Sequence, residues 1–113
     1  MAVPWVRIED SFHDHPKVLA AGPRAVGLAV MALSYANRHL TDGHVTREVL
    51  RSLGGTRSDA AKLVKAGMWE VNGNAGWVIH DFAVYQPTRA QVQADRAAAR
   101  QRMARVRANG DRT

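Results

Sequence analysis

The chain has 113 residues, enough for one hydrophobic core but not two. It carries no cysteine, 46% hydrophobic residues and a net charge of +6, which excludes disulfides, thiolate catalysis and cysteine-based zinc sites and argues for a globular body. The longest nearly apolar run, residues 25–36, has 12 residues and contains Ser34 and Tyr35, short of the roughly 18 needed to span a bilayer. Because the opening MAVPWVRIED lacks the apolar core of a signal peptide, the expectation is a soluble cytoplasmic protein with no membrane partner, nucleoid-associated if it binds DNA.

Charge is distributed unevenly. Residues 1–88 hold nine Lys/Arg and eight Asp/Glu, whereas residues 89–113 hold seven Arg and two Asp, so a body of +1 carries a tail of +5. A pI near 10.8 favours a polyanionic partner, with nucleic acid ahead of anionic lipid. A surface that is merely solvated mixes signs, as the body does and the tail does not.

In chain order, residues 3–8 read as a short edge strand, because Pro4 is tolerated only at an edge or a strand start. A short helix over 16–21 follows, with Pro16 in its first turn and Gly22 closing it. Gly22 or Pro23 then starts the longest body helix, to about residue 40. Its expected buried stripe is Val26, Val30, Leu33 and Ala36 or Asn37, with Leu28, Met31 and Tyr35 beside it, while Ala25, Gly27, Ala29 and Ala32 allow close packing.

Residues 41–81 organise the rest. A short strand precedes a helix over 46–53 that Thr46 can cap, with Val49, Leu50 and Leu53 at helical spacing and a break at Gly54-Gly55. Thr56 or Ser58 caps the next helix; Ala60, Leu63 and Val64 lie on one face, leaving Ser58, Asp59, Lys62 and Lys65 pointing away, and Gly67 ends it. From Met68 the pattern alternates through residue 71, passes Asn72-Gly73-Asn74-Ala75-Gly76, and resumes over 77–80 as a hairpin. This order, helix-turn-helix then wing, predicts an α+β fold, mainly α: a winged helix-turn-helix with a long basic C-terminal helix. The expected organisation is a winged helix domain over 1–87, an arginine-rich helix over 88–109 and a disordered tail over 110–113.

Thr88 caps that last helix, which runs from residue 89 to about 108 in strong helix formers. On a helical projection Arg89, Arg96, Arg100 and Arg107 fall within about 40° of one another. Val92, Ala99, Met103 and Val106 make a narrow stripe beside them, at a spacing that suits docking on the body or a coiled-coil seam with a second copy.

Enzyme chemistry finds no foothold. His13, His15, His39, His44 and His80 form no cluster with ligand spacing, no serine lies in a nucleophile elbow, and the glycines at 54, 55, 73 and 76 lack the lysine and hydroxyl of a phosphate loop. No enzyme activity, metal or cofactor is expected.

Asp42-Gly43-His44-Val45, the run from Leu63 to Trp69 (Leu-Val-Lys-Ala-Gly-Met-Trp) and the run from Trp77 to Gln86 resemble the winged-helix domains of phage and mobile-element replication or regulatory proteins, especially those of actinobacteria and their phages. The resemblance spans roughly residues 4–87. It implies a winged helix serving as a DNA-binding regulator, a replication protein or a protein adaptor.

The leading expectation is double-stranded DNA binding, sequence-specific or structure-tolerant. The helix at 57–66 would enter the major groove with Arg57, Ser58, Lys62 and Lys65, while Arg47 and Arg51 hold the backbone. Arg89, Arg96, Arg100, Arg102, Arg105 and Arg107 would follow the phosphates, since the wing tip offers no cation. The same residues also read as ordinary solvated charges, and Asp59 on that face would repel phosphate. The alternative is an adaptor that uses the winged helix as scaffold and the C-terminal helix to bind a host or phage protein. A homodimer through that helix is expected with the first reading, because such proteins often read paired half-sites.

Overall fold

The computed structural model describes residues 5–74, 76–80, 82, 86 and 88–110. A 3-10 turn at Phe12–Asp14 leads into helices α1 (Pro16–Ala21) and α2 (Pro23–His39), then strand β1 (His44–Val45). Two further helices, α3 (Arg47–Ser52) and α4 (Arg57–Lys65), precede β2 (Trp69–Val71), β3 (Trp77–Ile79) and the terminal helix α5 (Arg89–Gly110). The fold is therefore mainly helical with one small antiparallel sheet.

Local chemistry accounts for most of these boundaries. Proline occupies the first turn of both α1 and α2, where its missing N–H is harmless. Thr46 Oγ1 accepts from Val49 N–H at 3.2 Å and so caps α3. At the far end of α3 Gly54 turns left-handed, φ +79°, and the N–H groups of Gly54 and Gly55 donate back to the carbonyls of Arg51 and Leu50. Gly55 faces a second constraint, since a Cβ there would lie 2.7–2.8 Å from methyl groups of Leu50 and Leu28. The turn can therefore press against α2.

α2 is the packing centre, in contact with α1, α4 and β1. Its buried residues are Ala25, Leu28, Ala29, Ala32 and Ala36, which corrects the expected valine and leucine stripe. Val26, Val30 and Leu33 are only half-buried, and Met31 is exposed. The reason is geometric. Where two helices approach most closely the seam takes the smallest side chains, and larger aliphatics go to the flanks. Val30 and Leu33 accordingly line an apolar cleft of about 240 Å³ with Phe12, Val18, Ile79 and Phe82. The rest of the core joins Leu50 of α3, Ala60 and Leu63 of α4, Val45 and Trp69.

β3 is the central strand, with order β1-β3-β2. Val45 faces Trp77 on one side, and Val71, Glu70 and Trp69 face Trp77, Val78 and Ile79 on the other. The hairpin loop begins at Asn72, whose N–H donates to the Gly76 carbonyl at 2.9 Å. Trp69 is buried, and its ring lies 6.0 Å from that of Trp77, within range for a favourable tilted aromatic pair. Trp69 in the core and Trp77 packed against it thus anchor the hairpin.

The expected edge strand over 3–8 does not form in its described part, residues 5–8; residues 3 and 4 lie outside the described set. Arg7 instead pairs its N–H and carbonyl with the side-chain amide of buried Gln86, at 3.1 and 2.7 Å. One glutamine amide supplies the donor and acceptor that a neighbouring strand would have offered.

α5 opens on a reciprocal cap, Thr88 Oγ1 accepting from Gln91 N–H and Gln91 Oε1 accepting from Thr88 N–H. Asp42 Oδ1 also accepts from Arg89 N–H at 2.6 Å. Val92 is the helix's one buried residue, and every residue from 100 to 110 is exposed. The radius of gyration, 17.9 Å, exceeds the roughly 13 Å of a compact chain of this size because α5 projects along a 63 Å long axis. The tail expected to fray from 110 is helical through Gly110, and residues 111–113 lie outside the described set. No helix among the described residues is long and apolar enough to cross a membrane.

Leu63→Ala should lower stability by about 2–5 kcal/mol, because Leu63 is fully buried between α2 and the sheet. Leu19→Ala, at a residue 65% exposed, should stay within about 0.5 kcal/mol. Urea denaturation of the two variants checks the contrast.

Candidate nucleic-acid interface

α4 buries Asp59, Ala60 and Leu63 against α2 and β2 and leaves Arg57, Ser58, Ala61, Lys62 and Lys65 exposed. At 100° per residue these five cover an arc of about 140°, so the cations share a continuous outward face. Arg47 and Arg51, one turn apart on α3, are exposed as well. The α3–α4 turn brings them to Arg57: the three arginines line a cavity of about 140 Å³ with Leu50, Gly55 and Trp77. None of the three makes an ion pair among the described residues. This basic surface shares no residue with the larger apolar cleft.

Asp59 overturns the expectation that it points outward with Lys62 and Lys65. Its side chain is turned into the structure, where Asp59 Oδ2 accepts from Thr56 N–H and Thr56 Oγ1 accepts from Asp59 N–H, both at 3.1 Å. This reciprocal cap identifies Thr56, not Ser58, as the residue that starts α4. Arg24 Nε of α2 donates to Asp59 Oδ1 at 3.1 Å, with the Arg24 side chain itself 73% exposed. The Thr56 backbone N–H holds the Asp59 carboxyl below its ordinary 3.8, against the opposing effect of burial, and the Thr56 hydroxyl and Arg24 add to the lowering. The one acid within α4 is thereby paired locally and withdrawn from that face.

The other predicted residues fall into a second group. Arg89, Arg96, Arg100, Arg102, Arg105 and Arg107 are all exposed on α5, and the structure does not bring them to the α3–α4 surface as one patch. Met103 and Val106 of the expected stripe are 55% and 62% exposed, so its far end does not dock on the body. The hairpin loop offers no described cation at its tip, where Asn72 Nδ2 lies 3.3 Å from His44 Nδ1 and ties the loop to β1.

The histidines hold local positions. His15 Nδ1 accepts from Lys17 N–H and caps α1, the His39 ring stacks on Tyr35, and His80 Nδ1 lies 2.7 Å from Glu70 Oε1 across the hairpin. No three metal-ligating side chains come together among the described residues.

Three residues escaped the sequence reading. Arg24 adds a cation beside the start of α4, Asp42 anchors α5, and Trp77 forms part of the arginine cavity. The spacing Thr56-x-x-Asp59 is a capping-box pattern and carried the signal for Asp59; no local pattern marks Arg24 or Asp42, whose partners are 35 and 47 residues away.

Fold and site together define a small, mainly helical domain that presents a basic helix face and extends a basic helix from its body. No family model, curated protein or solved structure matches the chain.

The Asp59 cap has a pH signature. Since the folded-state pKa is depressed, the cap's contribution is present above about the ordinary 3.8 and is lost as pH falls through the folded value. Asp59→Asn should lower stability at neutral pH and flatten the stability profile in that acid range. Thermal melts from pH 2 to 7 read both, and parallel wild-type and variant profiles would refute the assignment.

Proposed function

We propose that this chain binds double-stranded DNA as a winged helix-turn-helix protein of the phage or mobile-element regulatory or replication type. α4 enters the major groove, with Arg57, Ser58, Lys62 and Lys65 toward the bases and nearest phosphates, and Arg47 and Arg51 grip the backbone. The arginines of α5, from Arg89 through Arg107, follow the phosphates beyond the body. Support for the fold assignment comes from α3 and α4 lying between β1 and β2 with β3 central, and from a hairpin that follows α4 directly. The observation that carries the binding proposal is the outward face of α4, cationic, uncovered and cleared of Asp59.

Division of labour follows from position. A helix face in a groove can discriminate bases, each good bidentate contact being worth about 1–3 kcal/mol. A projecting arginine helix adds sequence-independent attraction that falls with salt. The exposed Met103 and Val106 favour a second reading, in which α5 binds a host or phage protein and the body serves as scaffold. Pairing of two copies through the same stripe belongs to the DNA proposal. Because α5 carries six arginines, such pairing should strengthen as salt screens their repulsion.

Fluorescence anisotropy on genomic and random duplexes tests the proposal. If α5 neutralises about five phosphates, its share of the log–log salt slope is near −4.5. The informative truncation ends at residue 94, which retains the Thr88–Gln91 cap and buried Val92 and removes the later arginines. It should flatten the slope by about that amount, whereas Lys62→Ala should weaken cognate binding more than random binding. Absence of binding at low salt would end the DNA proposal and leave the adaptor. Light scattering at tens of micromolar across salt concentrations reports on pairing, with a monomer throughout counting against it.

A further inference from the structure

We infer that the cavity between α3, α4 and the hairpin is an oxyanion seat that takes one phosphate group. Arg47, Arg51 and Arg57 line it with Gly55 and Trp77, and no acid is among its lining residues. Three arginines bordering one concavity concentrate positive charge around it, which an entering anion would offset, and none has an ion-pair partner among the described residues. Asp59, two residues from Arg57, is committed to Thr56 and Arg24, and Glu48, beside Arg47 on α3, is exposed, lies outside the lining and makes no ion pair with the three arginines among the described residues. Gly55 contributes backbone alone to the lining. Arginine forks suit this use, since each presents paired donors to phosphoryl oxygens.

Size limits the occupant. At about 140 Å³ the cavity is well below the roughly 300–1,000 Å³ of sites that enclose a whole small molecule. A phosphoryl group fits, with the remainder of its carrier outside. An occupying phosphate would bridge α3, α4 and β3, the elements that set the tilt of α4's outward face relative to the hairpin. That carrier is either a DNA strand or a free phosphate compound; the first case rests on the DNA proposal above, and the second does not.

Because Trp77 forms part of the lining, occupancy has an optical signal besides a thermal one. Inorganic phosphate titrated into the full chain at constant ionic strength, with chloride as the balancing anion, should change tryptophan fluorescence saturably and raise the melting temperature. Arg51→Ala should weaken that response about tenfold, the loss of one charge-assisted contact. Arg51→Lys should recover part of it, and Arg38→Ala, a charge loss at the end of α2, should leave it intact. Circular dichroism of Arg51→Ala checks that the helices persist, as expected for an exposed side chain whose backbone carbonyl makes the turn bond.

A response that chloride reproduces, or that survives Arg51→Ala and Arg57→Ala unchanged, overturns the seat. Duplex DNA identifies the carrier. If the seat serves a strand, phosphate competes with duplex and Arg51→Ala lowers the salt slope by about one. If phosphate binds and duplex affinity ignores both, the seat stands and its carrier is a free phosphate compound. Failure of all duplex binding would remove the DNA proposal without touching the seat, and an anion-blind cavity would remove the seat while α4 and α5 could still bind DNA.

Discussion

The seam between α2 and α4 constrains everything else in this molecule. Alanines at 25, 29 and 32 on α2, in one buried cluster with Ala60 on α4, let two helix backbones approach closely, and such an approach fixes α4 along one side only. A helix of nine residues has little stability of its own in water, so its conformation depends on that contact and on its caps. Burying Ala60 and Leu63 there dictates which residues remain outside. The composition of the outward face is thus a consequence of packing, and Arg57, Lys62 and Lys65 occupy it because no other face of α4 is free.

The reciprocal cap at Thr56 and Asp59 extends the same logic to electrostatics. A carboxylate at a helix start satisfies orphan N–H groups and opposes the positive end of the dipole, which ordinarily weakens attraction for an external anion at that end. Here Arg24 from α2 binds the same carboxylate, so the packing partner of α4 also supplies its counter-charge. The arginines of the α3–α4 turn receive no such compensation among the described residues. Neutralisation is selective in space, and the selectivity outlines where an anion would be attracted.

Much of this was legible in the sequence because it rests on interactions between near neighbours. Thr46 and Thr88 as caps, the Gly54-Gly55 turn, Gly67 after α4 and the loop over 72–76 each involve partners within about five residues, the range over which turn and cap rules operate. The arginine positions were legible too, as exposed helix residues. Three expectations failed, two for tertiary reasons and one for a local one. The buried stripe of α2 was assigned by size and hydrophobicity, whereas close helix approach selects the smallest residues. Asp59 was placed by helical angle alone, which ignores that an N3 carboxylate can fold back onto its own cap. The strand expected over residues 3–8 needed a neighbour, and in its described part the partner is one side chain, Gln86. The convergence of Arg47, Arg51 and Arg57 on Trp77 is likewise tertiary, since it depends on β3 passing behind the turn.

α5 shows how a weakly supported helix can still be directed. Beyond Val92 none of its residues is buried, so its direction is set largely where it leaves the body, by Asp42, the Thr88–Gln91 cap and that one buried valine. Asp42 sits in the turn between α2 and β1 with a left-handed backbone, φ +54°, beside Gly43, and that turn is continuous with the sheet through the bond from Ile79 N–H to the Gly43 carbonyl. The root of α5 is therefore coupled to the sheet that carries the hairpin, which in turn packs beside α4. A helix of 22 residues extends about 33 Å, so a small rotation at this root moves its last arginines by several ångströms relative to α4. Long-range attraction tolerates such movement, because phosphates recur along a duplex and the interaction is not base-specific. Base reading does not tolerate it. The alanine seam under α4 and the light anchorage of α5 would meet those two demands if the proposed DNA binding holds.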